Sequence, residues 1–516
     1  MSAAKGMIYM QQLTGLDTSF IHLESSTTPM HIGSLAIYDQ STAPGGHVTF
    51  KEILAFFRSR LARAPVFRQR LANVPLGLDN PYWIEDPDFD LEFHVRHIAL
   101  PQPGDWRQLC IQAARLHARP LDMGKPLWEA YIIEGLDNVE GVPKGAFGLV
   151  TKFHHAAIDG VSGAEIGMAI HDLTAIADDG AGVDTWQPDR VPPDLELLGR
   201  SAINNLAIPV KFGKLLYSAA PSLKRLVSGV AGKNLVAPTR APRTRFNGQV
   251  GPHRVFDGRS FSLDDLKLMR KTVEGATLND VVVSICGGAL RKYLVSKDEL
   301  PDRSLVAMAP MSVRTKEQEG TAGNLVTALS IPIRTDIEDP LERLASVQAE
   351  SQSAKAFTAT AGGSLAVDMA NLLPAPAGSL LARLYASGNM AERLPPMYNT
   401  VITNVPGANI PIYSMGSQMV ANYGLGPCVH GVGLFQPVLS YNGQLTISAV
   451  ACRTMMPDPA FYCQCLQESF DELKDATMAL LKNLEESPDE ASPKRKARKK
   501  AVRKKASKKA RKKTAE

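Results

Sequence analysis

The stretch Gly148-Leu149-Val150-Thr151-Lys152-Phe153-His154-His155-Ala156-Ala157-Ile158-Asp159-Gly160 decides how this chain is read. Gly148 to Phe153 is rich in apolar and β-branched residues and predicts a strand running into His154 and His155. Asp159-Gly160 then marks a tight turn. Beyond it, between Gly160 and Leu173, the residues Ile166, Ala169, Ile170 and Leu173 share one helical face. Strand, turn and helix in that order fix an imidazole at the mouth of a sheet. An alcohol is too weak an acid to lose its proton in advance, but a neutral imidazole can take it as the oxygen attacks a carbonyl. With an ordinary pKa of about 6.5, histidine is mostly neutral at pH 7. Such general-base help is worth roughly 10²–10⁴ in rate. Asp159 can hold the turn through an ion pair or by capping the helix that follows.

Taken alone, the pattern fixes few positions, and two adjacent histidines at a strand end also read as structural residues. Zinc is a weaker rival, because a third and fourth ligand at sensible spacing are missing. No metal is expected. Other site patterns fail. Gly160-Val161-Ser162-Gly163-Ala164 has alanine where a nucleophile elbow needs glycine. Gly424-Leu425-Gly426 is followed by Val429 where a dinucleotide loop needs glycine, and no phosphate-binding G-x-x-x-x-G-K-[ST] occurs.

Further out, 516 residues are too many for one ordinary core and imply two domains or a large two-lobed unit. No apolar run reaches the roughly 18 residues of a spanning helix. Met1 to Tyr9 has one lysine and no apolar core, which argues against secretion. The six cysteines, Cys110, Cys286, Cys428, Cys452, Cys463 and Cys465, make no disulfide framework over such a length. A cytoplasmic, reducing compartment is the expectation. The net charge of +5 hides a split. The stretch from Lys494 to Lys513 holds 14 Lys and Arg, and the only acid after it is Glu516. Taking these from the chain's 57 cations and 52 acids leaves an acidic body of 43 cations and 51 acids.

Along the chain, residues 1–190 read as a first α/β lobe with strands at Ile32–Tyr38 and Ala130–Ile133 and a helix from Lys51 to Arg63. Residues 191–245 read as a connector of basic amphipathic helices, with no acidic residue from Leu197 to Phe256. It suits either packing between lobes or resting on anionic lipid. Residues 246–486 resume the alternation. They hold a helix Thr277–Leu294 capped by Thr or Asn, strands at Leu305–Pro310 and Val401–Val405, an Asn442-Gly443 hairpin and a helix Asp458–Leu481. Residues 487–516, Lys/Ala-rich, cannot bury a core and read as a disordered tail.

Several motifs now add up in order. Leu13-Thr14-Gly15-Leu16-Asp17 with Phe20, Met30-His31-Ile32-Gly33, Pro126-Leu127-Trp128-Glu129 and His154 to Gly160 occupy the first lobe. Asn279-Asp280, Pro310-Met311-Ser312-Val313-Arg314, Gly323-Asn324 and Thr403-Asn404-Val405-Pro406-Gly407 occupy the second. Together, from Leu13 to about Leu481, they resemble the bacterial wax ester synthase/acyl-CoA:diacylglycerol acyltransferase family of the coenzyme A-dependent acyltransferase superfamily. Met311 and Thr403 depart mildly, from valine and serine.

That resemblance implies a two-lobed, chloramphenicol acetyltransferase-like α/β fold with mixed sheets, a helical inter-lobe connector and a channel centred on His155. It implies His155 as general base, His154 in support and Asp159-Gly160 as organisers of the loop. Asn279 is a candidate for positioning the reacting carbonyl, or is the helix cap. Arg314 is a candidate partner of Asp159 across the lobes, and Asn404 a further support. Acyl-CoA is then a substrate, no cofactor is required, and the acceptor is diacylglycerol or a long-chain alcohol. Ala354 to Tyr385, rich in Ala and Leu, is a candidate lining of an acyl tunnel or an ordinary core helix. Insoluble products imply peripheral work at the inner face of a membrane or on lipid droplets, and the basic tail suits anionic lipid, nucleic acid or simple solvation. Two alternatives stay open: another acceptor on the same superfamily scaffold, or a non-catalytic droplet- or DNA-tethering protein.

Overall fold

The strand Phe147–His154 is buried along its whole length. It lies between His31–Asp39 and Trp128–Glu134 and runs antiparallel to both. Gly33 permits the close approach: a Cβ there would meet the carbonyl oxygen of Thr151 at 1.8 Å. The computed structural model describes residues 10–158, 162–176, 186, 188, 190–231, 239–312, 326–361, 374–387 and 389–486. Asp159, Gly160, Arg314, Gly323-Asn324 and the tail lie outside them.

Two six-stranded sheets organise the chain. The first runs Tyr413–Ser414, Ser417–Leu425, His31–Asp39, Phe147–His154, Trp128–Glu134, Val95–Ala99, and its last pair is parallel. The second runs Val326–Pro332, Val306–Ser312, Thr400–Val405, Leu434–Tyr441, Gln444–Cys452, Arg254–Ser262. There Thr400–Val405 is parallel to both neighbours, so both sheets are mixed. A three-stranded sheet of Gln11–Gln12, Tyr82–Glu85 and Gln69–Ala72 stands apart. The helix Leu278–Val295 is buried for most of its length and packs against Pro459–Glu486.

The linear division at 246–486 is cut across at one place. Ser417–Leu425, from the second half, adds to the first sheet by pairing with His31–Asp39. The lobes are also joined through packing. The helix Trp106–His117 lies on Arg254–Ser262, and Trp106 Nε1 donates to Asp257 Oδ1 at 2.9 Å. One apolar core runs from Leu35 and Leu109 to Phe256, Val281 and Leu473.

Several local expectations need correction. The helix after the histidines ends at Ala169 and leaves Leu173 exposed. Its continuation is pulled away because Asp172 pairs its backbone with Tyr413 and its carboxylate with Arg60. Among the described residues the connector is one helix, Asp194–Ala231, rather than several. Val306–Ser312 runs through Pro310, which sits where the Thr400–Val405 partner has already diverged, so the missing N–H costs no ladder bond on that side. Thr277, not Asn279, caps the helix Leu278–Val295, in a capping box with Asp280. The hairpin turn is as read, with Asn442 and Gly443 both in the left-handed region at φ 44° and 81°.

Candidate active site

The helix Gly15–Leu23 begins at Thr14, whose side chain accepts from the Asp17 N–H. Phe20 within it and Glu24 at its C-terminal cap, one turn apart, meet the two histidines. The Phe20 ring stacks on His155 with centroids 4.0 Å apart and planes 15° from parallel. Glu24 Oε2 lies 3.0 Å from His154 Nε2 and also accepts from the Met30 N–H at 2.6 Å.

His154 is fully enclosed and has both ring nitrogens in use. Nδ1 accepts from the Ala156 N–H at 3.1 Å, so Nε2 carries the proton and donates it to Glu24. Backbone bonds finish the positioning. His154 N–H donates to Leu127 O at 2.9 Å and His155 N–H to Met30 O at 2.8 Å. The result is a 3-10 turn, His155–Ala157, held from the helix, from Met30 and from Leu127. His154 thus shapes the turn, and His155 rides on it.

The His155 side chain keeps part of its surface open, while Nδ1 is enclosed without a hydrogen-bond partner among the described residues. Leu13, Leu71, Leu121, Leu127 and Ala156 form the apolar cluster against which Phe20 packs. Burial pushes the imidazole pKa down to about 4; its own carbonyl opposes the shift and His154 adds to it. His155 is therefore neutral across the physiological range.

Behind the turn lies a buried polar layer. Lys152 Nζ sits 2.8 Å from Glu129 Oε2 and donates to Arg119 O at 3.0 Å, and Tyr131 donates to the same Glu129 oxygen at 2.8 Å. Burial lowers the Lys152 pKa against the pull of Glu129. His31, the sheet partner of His154, bonds through Nε2 to the carbonyl of His117, whose own Nε2 donates to Gly426 O at 2.9 Å. Burial holds His31 well below its usual value and His117 at about 3. That relay ties the first lobe to the end of the crossover strand. Arg254 of the second lobe donates to Thr27 O, beside Glu24.

The structure thus brings His154, His155, Phe20, Glu24 and Met30 together. Asn279 is the second residue of its helix and half-buried, and Asn404 is half-buried opposite Val438. Among the described residues, neither makes a hydrogen bond to the histidines. Glu24 escaped the sequence reading. The available signal was its place four residues after Phe20 at the end of a capped helix.

Two mixed sheets, with this histidine turn at the end of a central strand of the first, give a two-lobed acyltransferase-like fold. The likeness extends to solved structures. A wax ester synthase/diacylglycerol acyltransferase from Marinobacter aquaeolei VT8 aligns with TM-score 0.62 and 26% identity, covering 90% of this chain and 100% of that one. The first condensation domain of the calcium-dependent antibiotic synthetase aligns at 0.52 with 15% identity over 91% and 96%. Trichothecene 15-O-acetyltransferase from Fusarium sporotrichioides aligns at 0.52 with 12% identity over 92% and 96%. These last two speak to the fold alone.

Residues 13–282 match the wax ester synthase/diacylglycerol acyltransferase catalytic domain, and residues 322–474 match the family's C-terminal domain. Two Mycobacterium tuberculosis proteins named as diacylglycerol O-acyltransferases are similar throughout. One is 30% identical over 92% of each chain, the other 33% identical over 90% of this chain and 99% of its own. The chain belongs to the wax ester synthase/diacylglycerol acyltransferase family and is an O-acyltransferase.

Proposed function

We propose that this chain transfers a long-chain fatty acyl group from acyl-CoA to diacylglycerol, with wax ester synthesis from a long-chain alcohol as a second activity. His155 acts as general base. The acceptor hydroxyl gives its proton to Nε2 as its oxygen attacks the thioester carbonyl, and the carbon–sulfur bond of the tetrahedral intermediate then breaks. The imidazolium returns the proton to the leaving thiolate. No acyl-enzyme and no cofactor are needed.

The observation that carries this reading is the held and enclosed state of His155. A pKa of about 4 keeps the ring unprotonated at pH 7, so it is free to accept a proton, and makes it a weaker base than a histidine poised near 7. The same low value makes the imidazolium a willing donor to a thiolate. Phe20 and the Glu24–His154 pair hold the ring's position before substrate arrives, which is the form of catalysis that orientation supplies. In this reading Asp159 and Gly160 are assigned to the loop's organisation, Asn279 to positioning the reacting carbonyl, and Arg314 and Asn404 to support from the second lobe. Glu24 steadies His154 in this reading.

Ala375–Ser387, which overlaps the candidate lining Ala354–Tyr385, leaves Leu380, Leu381 and Leu384 exposed. Among the described residues no helix is long and apolar enough to cross a membrane. In this reading contact with a membrane or droplet is peripheral, aided by the cationic tail. Radiolabelled palmitoyl-CoA tests the reading in a single turnover. The protein alone should stay unlabelled, and adding dioleoylglycerol or hexadecanol should give labelled ester. Label retained on denatured protein would refute direct attack.

A further inference from the structure

We infer that the face carrying Leu76 and the outer stripe of the helix Asp194–Ala231 seats on an anionic phospholipid surface, with Leu76 inserted into it. The inference rests on the lipid-alcohol reading above for its purpose, but its observations are separate.

Leu76 is 91% exposed and adopts φ 60°, ψ 8° between Pro75 and Gly77. The left-handed region is unfavourable for a residue with a Cβ. A leucine also lacks the local side-chain hydrogen bond by which Asn or Asp tolerate it. Strain that holds an apolar side chain out in water points to something that receives it.

The helix beside it is turned inside out. Asn204 donates to Gln12, Asp79 and Tyr82, and Asn205 donates to Leu78 O at 3.0 Å. With buried Leu197 and Ser201, these residues hold one face of the helix to the small sheet and to the turn bearing Leu76. On the opposite face Ile203, Leu206, Val210 and Tyr217, at intervals of three, four and seven, are between 62% and 87% exposed. That is the apolar stripe a soluble helix buries, and here it faces out.

Charge selects the occupant. No acidic residue lies between Leu197 and Phe256, and Lys214 is exposed on the same helix. An apolar stripe with an exposed lysine on its helix and no acid there beyond Leu197 is the pattern of a helix lying in a lipid headgroup layer. The position also suits the chemistry. A cavity of about 460 Å³ opens beside Leu76, bounded by Leu380 and Arg383 on one side and Ile21 and His22 on the other. Ile21 and His22 directly follow Phe20, the ring that covers His155. A lipid alcohol leaving such a surface meets the helix that holds the base.

The six native cysteines are buried, so Leu76→Cys in the full-length chain takes a polarity-sensitive thiol fluorophore selectively. Val295→Cys, at an exposed position ending the helix Leu278–Val295, is the control. Vesicles containing phosphatidylglycerol are added at about 0.1 M salt, where the Debye length is about 10 Å, and the control position separates seating of this face from an approach driven by the tail alone. The probe at position 76 should shift to the blue and be quenched by brominated lipid, and the control should not respond. Leu206→Asp should weaken vesicle partitioning by about 10-fold or more, with thiol release to a short, soluble alcohol unchanged. No response at position 76, an equal response at the control, or a blue-shifted probe without vesicles in a dimeric protein would overturn the inference; the last would assign the face to a second copy. Absent thiol release in the unmodified chain would instead count against the acyltransfer reading and leave the vesicle result standing.

Discussion

The strand Phe147–His154 buries a lysine and a histidine, while the helix Asp194–Ala231 leaves Ile203, Leu206, Val210 and Tyr217 in water. The two regions invert the usual partition in opposite senses, and the price differs. Buried charge is tolerated only where it has a partner, as Lys152 has in Glu129 and Glu24 in the N–H of His154. Exposed apolar surface needs no internal partner and shows instead as an unoccupied face. One inversion stiffens a reacting turn; the other prepares an encounter.

Breaking the buried side should cost most. Lys152→Met leaves Glu129 enclosed with only Tyr131 and a distant Arg96, 3.6 Å away. It should lower stability by about 3–5 kcal/mol in urea unfolding. Adding Glu129→Leu should recover most of that loss; no recovery would mean that the pair does more than neutralise charge.

Glu24→Ala sharpens the link between support and chemistry. With the turn no longer tied through His154, kcat should fall by about 10²-fold, the scale of a small misplacement, while KM changes little. Glu24→Gln, whose amide oxygen still accepts from His154, should keep most of the rate. Equal losses in both variants would show that the charge, rather than the hydrogen bond, matters.

A smaller effect comes from pH. Burial lowers the pKa of His31, His94, His117, His155 and His171 below the usual 6.5. The unfolded chain therefore binds more protons below that value. Each group's contribution is complete above pH 6.5 and is lost as pH falls through 6.5 toward folded values such as about 4 for His155 and about 3 for His117. The melting temperature should drop between pH 7.5 and 5. A constant Tm would place these histidines nearer the surface.

The sequence showed the elements whose cause is local. Asn442-Gly443 specifies its turn, and Gly148–Phe153 its strand, because dipeptide chemistry and apolar runs act within a few residues. The motif that carries His154 and His155 was legible for the same reason. What lay hidden depends on distant partners. Leu173 kept helical phase with Ile170, yet Tyr413 and Arg60 capture Asp172 and end the helix first. Ser417–Leu425 joins the first sheet because His31–Asp39 offers an edge, which no local pattern announces. Glu24 acquires its role only because the fold sets His154 against it.

The central claim is that His155 takes the acceptor's proton. The direct test is acceptor-dependent thiol release from palmitoyl-CoA, with dioleoylglycerol and hexadecanol, by the unmodified chain and by a folded His155→Ala variant. The account predicts release that requires the acceptor and falls by roughly 10²–10⁴ in the variant. Equal release from both proteins would contradict it and return His155 to a structural role.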